Sequence, residues 1–228
     1  VTAMGWRGNN QSAPISRDLL VKFGRGHRRI MTGVTYVADE EDGLSPVEQA
    51  ELMIALFQSI DRDCFDLRVS AKNGEIWELL PNLGPDDVQR RLPELLREAE
   101  RQTLSVAIRP GDNGRQGGLS LLRLDDLDAR ALDQVQRSAF MILETDQGIY
   151  QCWFAVDNRQ MPSLANRMAT AKLAATQDPF APLAGSRRTA TVESPRVRIA
   201  RGSAGLLMAP NQLSNRSIQL LLEKCMIQ

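Results

Sequence analysis

Histidine is nearly absent from this chain: His27 is the only one in 228 residues. A Ser-His-Asp triad would rest on that residue alone, and no GxSxG elbow supports it, so acyl-transfer chemistry of that kind is rejected. Cysteine is almost as sparse. Cys64, Cys152 and Cys225 are far apart, lack CxxC spacing and sit in apolar surroundings. That excludes a zinc site of the usual spacing and reads as buried free thiols in a reducing compartment. No run of about 18 apolar residues occurs, and no signal-peptide pattern, so neither a membrane span nor secretion is expected. The expected location is the cytoplasm. Net charge is missing too: 28 Lys and Arg balance 28 Asp and Glu. Neutrality neither points to nucleic acid nor excludes it, because a basic groove and an acidic metal site cancel in the sum.

What remains is ordinary globular composition, 43% hydrophobic and 25% charged, in a length that suits one large domain or two small ones. The chain opens on Val1, as expected of a domain cut from a longer protein or of numbering that omits the first residues. Residues 1–16 are polar and Gly/Asn-rich and read as a flexible tail, and residues 17–228 as a single domain. Ser45, Pro46 and Glu48 compose a capping box ahead of the apolar stripe Val47, Ala50, Met53, Phe57 and Ile60, which predicts a helix. CFDLRVSA and EIWEL flank Asn73-Gly74 and predict a β-hairpin. A second helix is expected from Pro85 to about Arg101, then a strand over 104–110 and the Gly-rich loop GDNGRQGG, read as a plain connection. Further helices are expected at 163–175 and 214–226, with a short strand at 197–201 between them. Mixed hairpins and helices indicate an α+β fold with a largely antiparallel central sheet flanked by helices.

The most informative stretch is 119–156. An apolar run ends in three carboxylates, Asp125, Asp126 and Asp128, and a short helix and two further strands follow. A tight acidic cluster at a strand end suits a divalent cation, which takes several carboxylate oxygens and completes its shell with substrate phosphates. Asp128 also suits a helix cap. In an unbroken strand Asp125 and Asp126 face opposite sides, so the pairs Asp126 with Asp128, or Asp125 at a bent strand end, are both open. Arg115, Arg123, Arg187, Arg188, Arg196, Arg198 and Arg201 cluster in or after this stretch, and Arg suits phosphate. Arg25, His27, Arg28 and Arg29 form a basic turn read as a nucleic-acid contact. Tyr150 and Trp153 read as core.

Four segments in register carry a family resemblance: LSVAIRP (104–110), LRLDDLD (122–128), MILETDQGIYQCW (141–153) and PLAGSRR (182–188). Residues 92–199 resemble the RepB-like branch of the archaeo-eukaryotic primase superfamily. The resemblance implies a primase-like, RRM-like catalytic core that synthesises primers on single-stranded DNA from nucleoside triphosphates, in replication of a plasmid or mobile element. It implies Mg2+ or Mn2+ at Asp125 and Asp126, a further acid matched by Asp178, and phosphate contacts from Arg187 and Arg188. A replicative helicase or other replication protein is the expected protein partner. The family's nucleotide-contacting histidine has no counterpart after His27, and Arg109, Gln151 or Arg187 is the expected substitute. The family's SPGN turn reads DQGI here, and its RLAGxxNRK loop reads PLAGSRRT. Two rival readings stand beside the enzyme: a catalytically inactive primase-fold DNA-binding module, and a metal-dependent nuclease.

Overall fold

The computed structural model describes residues 35–37, 43–111, 119–157 and 179–207. Nine strands and three helices occur among them, in the order β1 (Thr35–Val37), α1 (Pro46–Gln58), β2 (Phe65–Ser70), β3 (Ile76–Leu83), α2 (Pro85–Gln102), β4 (Ser105–Pro110), β5 (Leu119–Leu127), α3 (Ala129–Val135), β6 (Met141–Asp146), β7 (Ile149–Asp157), β8 (Ala181–Pro182) and β9 (Arg198–Ser203). The expected tail, the Gly-rich loop beyond Gly111, and the helices at 163–175 and 214–226 lie outside the described residues.

Local sequence explains most of these elements. The Ser45 hydroxyl accepts from the Glu48 N–H at 3.3 Å, and the Glu48 carboxylate accepts from the Ser45 N–H at 2.7 Å, so α1 begins where the capping box puts it. Gly74 takes a left-handed φ of 81° in the turn joining β2 to β3, a conformation that carries little penalty without a Cβ. The helix α2 buries Val88, Leu92, Leu96 and Ala99 along one stripe. The short helix expected after the acidic run is α3, which ends in a C-cap at Gln136.

The antiparallel α+β class expected from the sequence holds, and the strands divide between two sheets. One runs β1-β9-β6-β7-β5 and the other β3-β2-β4-β8, with every pairing antiparallel. Two of the strands were not read from the sequence. At three and two residues, β1 and β8 are too short to show alternation, and only their partners make them strands.

Apolar side chains of α1 and α2 join the inner faces of both sheets in one core. Phe57 sits at its centre, with ring centroids 5.2 Å from Trp153, 5.9 Å from Phe140 and 6.1 Å from Phe65. Edge-to-face packing of this kind adds about 0.5–1.5 kcal/mol per pair beyond area burial. The other face of the five-stranded sheet is covered by α3, through Leu122, Leu127, Ala131, Val135, Cys152 and Phe154. Strand β7 is thus buried on both faces. Cys152, Phe154 and Val156 turn to the α3 side, while Trp153 and Ala155 turn to the main core.

Backbone contact is tight where the β8–β9 connection meets α1. A Cβ on Gly185 would stand 2.0 Å from the Pro46 carbonyl oxygen, so no other residue fits there. Among the described residues no helix is long and apolar enough to cross a membrane.

Candidate active site

The acidic cluster lies on an irregularity in β5. Leu124 pairs with Cys152 and Leu127 with Tyr150, so Asp125 and Asp126 together oppose Gln151 alone. Two residues against one is a β-bulge, which bends the strand and re-aims its side chains. Asp126 carries the kink with φ of 54°, a left-handed conformation that Asp and Asn tolerate better than other side-chain-bearing residues. Of the two arrangements left open by the sequence, the bent strand end is the one observed.

Asp125 is held by a network of buried groups. Gln151 donates to its carboxylate at 2.6 Å, and Arg123 approaches the same carboxylate at 3.1 Å. Gln151 in turn accepts from the Trp153 indole N–H at 2.8 Å. Arg123 also donates to the Phe180 carbonyl at 2.8 Å, and its guanidinium lies 5.6 Å from the Trp153 ring centre. Gln151 is 4% exposed and the Arg123 side chain 9%, so these partners are fixed by packing.

Asp126 projects outward, its side chain 61% exposed, and meets Arg188 at 2.9 Å. The same guanidinium reaches Asp146, in the β6–β7 turn, at 3.5 Å. Asp128 turns elsewhere: its carboxylate accepts from the Ala131 N–H at 2.8 Å and caps α3. The structure therefore sets Asp125 on Gln151 and Arg123, sets the adjacent Asp126 on Arg188, and leaves Asp128 to the helix.

Arg187 does not join them. It donates to the Ser194 carbonyl at 3.1 Å and to Glu100 of α2 at 2.6 Å, away from the partners of Arg188. That contact holds the Glu100 carboxyl below the usual carboxylate range. Arg109 is paired with Asp66, with Nε at 2.7 Å, and stands over the Phe180 ring at 5.2 Å. Asp178, Arg25, His27, Arg28 and Arg29 lie outside the described residues.

Asp146, Asp66 and Phe180 belong to this region and were not singled out in the sequence, and Arg123 was named only among the arginines suited to phosphate, not as a partner of Asp125. Arg123 had a signal, since positions two apart on a strand share a face. The link between Asp146 and Arg188 spans 42 residues and had none.

Beyond Arg188 the outer face of the four-stranded sheet opens into a groove of about 710 Å³. Arg68, Ser70, Lys72, Ser105, Phe180 and Arg188 line it, and no carboxylate is among the described lining residues. The Arg68 guanidinium stands 4.4 Å from the Phe180 ring centre, so an aromatic ring is held between two arginines. On the neighbouring edge strand Ile76, Trp77 and Leu79 are each about half exposed.

Among the described residues no three Asp, Glu, His or Cys side chains converge closely enough to cage a metal. The donors present are carboxylate oxygens, which suit a hard cation. Magnesium commonly uses one or two carboxylates, with substrate phosphates and water completing its octahedron. The residues therefore fit an ion whose shell substrate completes.

No family model matches the chain, and no curated protein matches it. Solved structures do. The catalytic domain of primase RepB′ in complex with initiator DNA aligns with a TM-score of 0.53 at 21% identity, covering 79% of this chain and 98% of that domain. A second structure of primase RepB′ gives 0.53 at 21% identity, over 78% of this chain and 64% of that one. The primase-polymerase domain of cyanophage S-2L gives 0.47 at 18% identity, over 73% and 95%. The chain thus shares the fold of the RepB′ catalytic domain.

Proposed function

We propose that this protein is a primase-like nucleotidyltransferase that synthesises primers on single-stranded DNA, in the replication of a plasmid or other mobile element. The observation that carries the reading is the likeness to nearly the whole RepB′ catalytic domain, together with a DDL pair on the bulged end of β5 beside a basic groove.

Asp125 and Asp126 are the proposed holders of Mg2+ or Mn2+. When bound, such an ion neutralises triphosphate charge and makes the attacking 3′-hydroxyl easier to deprotonate. The protein's own residues divide the remaining work. Gln151 and Arg123 fix the Asp125 carboxylate in one orientation, so no reorganisation is needed when substrate arrives. The Arg188 side chain is 33% exposed and held by carboxylates, and a triphosphate would compete for its planar fork of donors. In the groove, Arg68, Lys72 and Arg188 provide cations for a DNA backbone, while Phe180 and the nearby Trp77 provide surfaces for bases. Binding of this kind weakens as salt rises, because condensed counterions are released from the phosphates.

A second reading, a non-catalytic DNA-binding module of a replication or transfer complex, draws support from two observations. No histidine follows His27, and both Asp125 and Asp126 are neutralised by arginine. Incorporation of labelled nucleotide on single-stranded DNA with magnesium or manganese separates the two. The enzyme reading expects incorporation that disappears in Asp125→Ala/Asp126→Ala protein of unchanged circular dichroism. Salt-sensitive DNA binding without incorporation of any nucleotide would establish the binding module instead. Degradation of the DNA with metal and no nucleotide would identify a nuclease.

A further inference from the structure

Arg187 and Arg188 are successive residues, the first bridged to Arg196, and their side chains reach different partners, Glu100 and Asp126. Arg188 serves the acidic cluster. On the Arg187 side, between the end of α2 and the β8–β9 connection, lies a second groove of about 550 Å³. That volume falls within the roughly 300–1,000 Å³ typical of ligand sites.

The chemistry of this groove differs from that of the first. Its floor is aliphatic, formed by Pro46, Val47, Pro93, Leu96 and Leu104, and no aromatic ring is among the described lining residues. The one hydroxyl among the described lining residues, on Ser186, is buried and already donates to backbone carbonyl oxygen. Its rim carries Arg97, Arg101, Arg187 and Arg196 against one carboxylate, Glu100. Arg187 and Arg196 grip Glu100 at 2.6 and 3.0 Å. Arg101 reaches Glu98, beside the groove, at 2.6 Å across an exposed pair. Counting both acids, the groove keeps a surplus of two positive charges over an apolar floor.

We infer that this groove docks an acidic peptide carrying aliphatic side chains, presented by a partner protein. The surplus charge selects an acidic ligand, and the aliphatic floor selects side chains over bases. Base stacking would call for an aromatic surface, which Phe180 gives the first groove and which is not among the described lining residues of this one. Arg187 is 17% exposed and fixed in place, so it anchors the wall, while on α2 the exposed Arg97, and Arg101 in its exposed pair with Glu98, face the incoming acids. Rigid walls with charged rims are how protein interfaces gain specificity. The inference does not depend on catalysis at Asp125 and Asp126.

Fluorescence anisotropy tests it, using a labelled ten-residue peptide of alternating aspartate and leucine and a labelled ten-nucleotide oligo-dT. The expected result is salt-sensitive binding of the peptide that weakens at least tenfold in Arg97→Glu/Arg101→Glu. Binding should be unchanged in Arg90→Glu, an exposed α2 position outside the groove. Arg97→Gln/Arg101→Gln, which removes charge without reversing it at the helix end, should weaken binding in the same direction. Peptide should also slow hydrogen exchange over residues 96–104. Absence of peptide binding, or binding that survives both double substitutions, would overturn the assignment. So would loss of oligo-dT binding in the double variants with peptide binding intact, which would make the groove a nucleic-acid face.

Discussion

Replacing Gln151 by Leu tests the network behind Asp125 with little change of volume. The substitution removes the acceptor of the Trp153 indole N–H, whose residue is 4% exposed, and the 2.6 Å donor to Asp125. An orphaned buried donor costs about 1–3 kcal/mol, and a hydrogen bond to a charged group is worth about 1.5–3 kcal/mol. Asp125 retains Arg123 and has a side chain 21% exposed, so water recovers part of the second loss. The sum expected is about 2–4 kcal/mol, near the upper range of ordinary single substitutions. At about 2–4 °C per kcal/mol for a chain of this size, the melting temperature should fall by roughly 4–16 °C. Thermal melts followed by circular dichroism give the number, and near-ultraviolet spectra report the loosened indole. A double-mutant cycle with Asp125→Asn should show coupling of more than about 0.5 kcal/mol, since the two residues share a hydrogen bond. Melting within a degree of wild type, with additive effects in the cycle, would refute the network.

Three further expectations follow from the same geometry. Asp126→Asn keeps a residue that tolerates the left-handed φ of 54°, so stability should change by less than about 0.5 kcal/mol while nucleotide incorporation is lost; retained incorporation would remove Asp126 from the proposed metal site. Arg188→Ala breaks two exposed ion pairs worth at most about 1 kcal/mol each. It should leave folding intact yet raise the KM for nucleotide and flatten the salt dependence of DNA binding, and an unchanged KM and salt slope would count against it as a phosphate contact. The Cys152 thiol is pushed up from 9.0 to about 12 by burial, so the unfolded chain releases that proton first and stability should decline as pH rises from about 9 towards 12. Cys152→Ala should remove that part of the slope in denaturant titrations, and an identical slope in both proteins would contradict it.

The Ser45–Glu48 capping box, the Asn73-Gly74 hairpin, the extent of α2 and the order of strands β4 to β7 were legible because each is written in neighbouring residues. Cap chemistry, turn chemistry and periodicity act over a few positions. Alternation tells which side of a strand is apolar, but not which strand lies beside it. The division into two sheets, and the short strands β1 and β8, therefore had no local signature. The same distinction runs through the candidate site. The acidic run singled out Asp125 and Asp126 and the arginine cluster included Arg188, while Gln151 was named only through the family resemblance. The roles of the other candidates depended on contacts across the fold. Asp128 spends its carboxylate on a cap, and Arg187 turns to Glu100, 87 residues earlier. Asp126 meets Arg188 across 62 residues because one extra residue in β5 opposes Gln151 and re-aims the strand end. The sequence alone determined that carboxylates and arginines of the right kind were present at the end of an apolar strand. Only the tertiary structure decided which of them face one another, because side-chain direction at a bulge and pairing between distant strands are settled by packing rather than by neighbours in the chain.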